Sequence, residues 1–192
     1  MRKIIVSNYV TIDGFFAGPN GELDWFVWDD EMAKFSTDQL KTVDTILLGR
    51  VTYQLFADYW PTPTAYKENP VIAPMMNELS KIVFSRTLDR AKWNNSKVVK
   101  ENVAEEISKL KQQPGKDMVI FGSGAIVSEF AQHGLIDLYR LIVNPVVLGN
   151  GKPLFKGLDD KLKLKLLNAR PFGSGNVILE YESMKDKPST SG

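Results

Sequence analysis

The sequence predicts an α/β domain with a largely parallel central sheet, extended near its C-terminal end by antiparallel strands. Three observations carry this. Short apolar runs at Lys3 to Val10, Thr45 to Leu48, Lys81 to Phe84, Val98-Val99 and Met118 to Phe121 have the length of buried strands. Between them, apolar residues recur at helical spacing, and strands alternating with helices favour parallel pairing. After Gly134 the helices stop, and Tyr139 to Val143, Pro145 to Leu148, Leu162 to Leu167 and Val177 to Tyr181 follow one another as strands.

The first strand ends in Thr11-Ile12-Asp13-Gly14-Phe15-Phe16-Ala17-Gly18-Pro19-Asn20-Gly21, a long glycine-dense loop of the kind that often carries function. Asp13 before Gly14 is either a turn residue capping local N–H groups or an acid placed at a ligand. Trp25, Phe26 and Trp28 come next, either as core or as the wall of a pocket for a flat ring. Acids at Asp29, Asp30 and Glu31 mark a helix start, and Met32, Phe35, Leu40 and Val43 give that helix its apolar stripe to about Thr42.

The second strand delivers Gly49-Arg50 to a helix beginning Val51-Thr52-Tyr53. A glycine at such a junction admits close approach of a ligand to backbone, and the helix start offers unpaired N–H groups to an anion. Arg50 and the Thr52 hydroxyl add side-chain donors. Pro61-Thr62-Pro63 and Asn69-Pro70 read as an irregular surface segment, followed by a helix from about Pro74. The third strand exits into Ser85-Arg86-Thr87, which either grips a phosphate monoester or is a solvated strand end. The central strand breaks at Gly122-Ser123-Gly124 and resumes as a helix through Ala125, Ile126 and Val127. That turn is a tight connection or a second phosphate cradle; the third glycine of a dinucleotide fingerprint is absent, Val127 standing in its place.

Composition narrows the chemistry. The chain has 192 residues, a formal charge of +1, no cysteine and one histidine, His133. Thiolate catalysis and histidine-rich metal sites are excluded, and no basic field argues for nucleic acid. No apolar run has membrane-spanning length and the N-terminus lacks a signal-peptide layout, so a cytoplasmic protein is expected. Chemistry borrowed from a cofactor is the expectation for an enzyme of this kind. One domain over 1–183 and a loose polar tail over 184–192 complete the layout.

In this order the motifs resemble the dihydrofolate reductase-like superfamily, and most closely stand-alone proteins similar to the reductase domain of the bifunctional riboflavin-biosynthesis deaminase-reductase. The carriers are Thr11 to Ala17, Leu48-Gly49-Arg50-Val51-Thr52-Tyr53, Val83 to Thr87, Gly122-Ser123-Gly124, and Gly134 to Arg140 running into Asn144-Pro145-Val146-Val147-Leu148-Gly149-Asn150-Gly151-Lys152-Pro153-Leu154-Phe155. The resemblance implies a three-layer α/β/α fold, NADPH as cofactor, and a reductase acting on a pterin- or pyrimidine-like heterocycle. It places phosphate at Gly49, Arg50 and Thr52, with Tyr53 beside them, and at Phe121, Gly122, Ser123, Gly124 and Ala125. Ser85, Arg86 and Thr87 would meet the adenosine 2′-phosphate, and Ala17, Ile126 and Val127 would lie near the nicotinamide.

Two departures bear on substrate. Riboflavin reductases usually carry an acid where Phe121 stands and a base where Phe15 stands, so the phosphoribosylaminouracil reductase is the alternative reading rather than the first. A non-catalytic nucleotide-binding protein on the same fold is a further one. Trp25 and Phe56 are expected to line the substrate pocket, Asp13 to orient or protonate substrate, and the C-terminal strands to offer a homodimer surface.

Overall fold

The computed structural model describes residues 1–184, and the polar tail expected over 184–192 lies outside them apart from Met184. In chain order the elements are β1 (Ile4–Thr11), β2 (Phe15–Ala17), α1 (Asp30–Lys41), β3 (Val43–Gly49), α2 (Arg50–Tyr59), α3 (Pro63–Glu68), α4 (Ile72–Glu78) and β4 (Ser80–Phe84). There follow β5 (Ser96–Val99), α5 (Val103–Gln112), β6 (Asp117–Ile120), α6 (Gly124–Gln132), β7 (Leu138–Asn144), β8 (Lys152–Pro153), β9 (Leu164–Pro171) and β10 (Val177–Ser183).

One eight-stranded sheet runs β5-β4-β3-β6-β1-β7-β10-β9. It is parallel from β5 to β7 and antiparallel where β10 joins β7 and β9. The fold is therefore the dihydrofolate reductase-like α/β class that the sequence predicts. Alternation along β6 shows how the layers form. Met118 and Ile120 enter the cluster under α5 and α6, with Ile107, Val127 and Phe130. Val119, between them, enters the opposite cluster under α2 and α4, with Tyr53, Ile72 and Met76. A third cluster of Met32, Ile142, Phe172 and Ile178, flanked by Tyr9 and Phe35, joins α1 to the antiparallel extension.

The chain departs from expectation in three places. The proline-flanked segment after Pro61 contains α3, because Thr62 Oγ1 caps it by accepting from Ala65 N at 3.2 Å and Pro63 occupies the first turn, where no N–H is needed. The expected strand at Pro145 to Leu148 is a loop instead. Pro145 has no N–H for a ladder, and the N–H of Leu148 is taken by Asp13. Beside it, β2 and β8 form a small antiparallel pair that no sequence pattern announced.

Candidate active site

β3 and β6 are neighbours at the centre of the sheet, yet the helices that follow them leave to opposite faces. In open α/β sheets such a switch point marks the crevice, at the carboxyl ends of the strands, where ligands bind. The two junctions are bolted together across it. Gly49 N donates to Ser123 Oγ at 2.8 Å, and Ser123 N donates to Thr52 Oγ1 at 2.9 Å. Neither helix has a side-chain cap: Gly49 has none to give, and the Ser123 hydroxyl is turned away to Gly49. First-turn N–H groups of α2 and α6 are therefore left without a side-chain acceptor at the positive ends of their dipoles.

The glycine turn is built for close approach. Gly122 and Ser123 both sit in the left-handed region, at φ of +56° and +55°. A Cβ at Gly122 would lie 3.0 Å from Thr52 Cγ2, and one at Gly124 would lie 2.7 Å from Phe16 Cε1. Phe16, expected only as a neighbour of Ala17 along the nicotinamide, covers the start of α6 with its ring. β1 pairs with β6 only as far as Val6, and beyond that point Asn8 Nδ2 bridges to Gly122 O at 3.0 Å.

Along the same carboxyl edge, β4 ends beside β3 and releases Ser85 and Arg86 into an open cleft of about 1120 Å³. Lys100, Ala125, Ile126 and Glu129 also line it. Ser85 Oγ accepts from Thr87 N and Leu88 N, which fixes the turn carrying Arg86. Lys100 is paired with Asp89 at 2.9 Å. Tyr53 is directed elsewhere: its hydroxyl accepts from Trp93 N at 2.9 Å inside the packed face of α2. Ile126 and Val127 are buried on the inner face of α6, and Ala17 is buried in β2.

Asp13 is exposed, and its carboxylate accepts from Thr11 Oγ1 at 2.6 Å, Gly149 N at 2.7 Å and Leu148 N at 3.3 Å. The Thr11 hydroxyl, followed by those backbone donors, holds its pKa below the usual carboxylate range. The group ties the loop after β1 to the loop after β7. Trp25 and Phe56 take different ring partners. Trp25 packs edge-on against Phe26 at 4.5 Å, whereas Phe56 packs against Trp60 in the layer that also takes Phe121. Phe26 stacks on Tyr9 at 4.7 Å, and burial pushes the Tyr9 phenol up to about 12. Among the described residues there is no acid, histidine or cysteine grouping that could hold a metal ion, and no helix long and apolar enough to cross a membrane.

Residues 2–178 match the RibD C-terminal domain family. The chain belongs to that family. It is 39% identical over 180 residues to the uncharacterized protein YyaP of Bacillus subtilis, covering 94% of each chain. Its backbone superposes on a putative riboflavin biosynthesis protein from Shewanella with a TM-score of 0.77, 20% identity, and coverage of 95% and 99% of the two chains. A dihydrofolate reductase from Enterococcus faecalis, solved with NADP(H), gives a TM-score of 0.65 at 17% identity, with coverage of 95% and 97%. The chain is thus a RibD C-terminal domain with the fold of dihydrofolate reductase.

Proposed function

We propose that this protein is an NADPH-dependent reductase that delivers hydride to a C=N or C=O bond of a small flat heterocycle, pterin- or pyrimidine-like. The observation that carries the reading is the bolted pair of uncapped helix starts at the β3–β6 crevice. Backbone donors of α2 and α6 converge there, as a pyrophosphate requires. Arg50 stands beside the first of them, steadied by its bond to Gln54 Oε1 at 3.1 Å. Ser85 and Arg86 open into the adjoining cleft, where a guanidinium fork and a hydroxyl suit a phosphate monoester. NADPH, when bound, supplies the hydride. Residues of the chain hold its phosphates, and Phe16, Ala17 and the Gly122–Gly124 turn shield the reacting end from water. Asp13, kept ionised by its three donors, orients the loops around that end and is a poor proton donor at neutral pH.

The family match also favours the phosphoribosylaminouracil reductase reaction as a second reading. Two side chains speak against it. Phe15 is turned to Gly151, where a Cβ would meet its Cγ at 2.9 Å, and Phe121 is packed in the α2 layer. Complementation of a riboflavin auxotroph separates the two.

Arg86→Ala is the direct test. Loss of a charge-assisted contact to phosphate should weaken NADPH by roughly ten- to a hundred-fold. NADH, which lacks the 2′-phosphate, should lose far less, as read by titration of each cofactor. Equal losses would remove the phosphate assignment, and NADPH binding without any oxidation across a heterocycle panel would leave a binding protein.

A further inference from the structure

Residues 22–28 form no regular element, yet they are held by residues more than a hundred positions away in the sequence. Val27 N donates to Asn144 Oδ1 at 2.9 Å, and Val27 O accepts from Asn176 Nδ2 at 2.9 Å. Both asparagines are completely buried, at 0% exposure. Asn144 closes β7 and spends its amide on Ile142 O at 3.1 Å, while Asn176 precedes β10. A buried side-chain amide is costly unless paired, so two of them directed at one backbone residue is a specific arrangement. Its result is to set Phe26 on Tyr9 and to bring Trp28 to 6.3 Å from that ring, with Trp25 edge-on against Phe26.

A second observation marks the same place. Among the described residues, four buried side-chain polar atoms have no hydrogen-bond partner: Asn8 Oδ1, Tyr9 Oη, Ser174 Oγ and Asn176 Oδ1. Tyr9 and Asn176 touch the aromatic segment, Ser174 lies two residues before Asn176 in the same turn, and Asn8 is the side chain that holds Gly122 O. Ser36 lies near enough to Tyr9 to temper the rise in its pKa, but makes no hydrogen bond of good geometry. Unpaired buried polar groups gather where a ligand or ordered water completes them.

Resting on the reductase reading, we infer that Asn144 and Asn176 are positioning residues, which through Val27 hold Trp25 to Trp28 over Tyr9 as the wall that receives a flat heterocycle. β1, which carries Tyr9, lies next to β6, whose end bears the glycine turn, and the preceding residue Asn8 holds Gly122 O. The side-chain hydrogen bonds of both asparagines go to Val27 and Ile142 rather than to the α2–α6 junction.

The test uses the full-length protein and lumazine, a flat pteridine, titrated with and without NADPH and followed by tryptophan fluorescence. Asn144→Ala and Asn176→Ala should each weaken lumazine by about ten-fold and speed amide exchange over 22–28 by a similar factor. NADPH affinity should stay within about two-fold of the parent. Because both variants release the same residue, the double variant should lose little more than either single one. Trp25→Ala, at a half-exposed position that leaves the buried amides in place, should reproduce the lumazine loss. Lumazine binding that is absent from the parent, or undiminished in all three single variants, overturns the inference. Failure of the parent to bind NADPH while lumazine still binds would instead sink the reductase reading and leave the wall standing.

Discussion

Ser123 is the residue on which the crevice turns. Its backbone sits in the left-handed region that a side chain disfavours, and its hydroxyl and N–H are both committed to the neighbouring junction. Gly122 has the same backbone sign for a different reason: a Cβ there would press on Thr52, which Ser123 N holds in place. Gly134 offers the control, since at φ of +62° nothing lies within 4 Å of its added Cβ. Gly134→Ala should therefore cost only the left-handed strain, about 1 to 2 kcal/mol. Gly122→Ala should cost that and roughly 1 kcal/mol more for the blocked contact with Thr52. Urea denaturation of both variants measures the difference, and equal losses would mean that Thr52 yields freely.

At the scale of elements, the junction between α2 and α6 behaves as one part. Thr52→Val keeps the shape of the side chain but removes the acceptor of Ser123 N, leaving a part-buried donor unpaired. A loss of about 1 to 3 kcal/mol in stability is expected, with weaker NADPH binding as the two helix starts drift apart. Unchanged denaturation and titration curves would show that the bolt is incidental. These junctions were legible in the sequence because an apolar run that stops at glycine has few other meanings. α3 was not, since Pro63 reads as a breaker until Thr62 is known to cap the turn it opens. The Pro145 to Leu148 run looked like a strand because its composition is right; what overrides it is the claim of Asp13 on Leu148 and Gly149 from 135 and 136 residues away. Asn144 and Asn176 left no signal, for an asparagine next to proline or after Gly-Ser-Gly reads as a turn residue until its partner is known.

For the whole molecule, the ionisable groups that matter most to stability lie in the packed layers. Lys81, 1% exposed and second in β4, has Nζ on Asn77 O at 2.7 Å and Asn94 O at 3.1 Å, and 4.1 Å from the Trp93 ring centre. Carbonyls and a ring face hold the ammonium without a carboxylate, and burial lowers its pKa from 10.5 to about 8. The unfolded chain therefore binds more protons than the folded one between those values, so stability should rise with pH across that interval. The full gain is about 3 kcal/mol. Tyr9 and Tyr139 act in the opposite sense. Burial raises both phenols above 10.0, so the folded chain keeps protons that the unfolded chain releases, and stability should fall as pH passes that value. Denaturation midpoints taken from pH 7 to 11 should pass through a maximum near pH 10, set by the unperturbed phenol value. Lys81→Met, which keeps an apolar stem against Trp93, should erase the rising limb and leave the falling one. A rising limb that survives the substitution would place its origin in some other group and deprive Lys81 of its part in the curve.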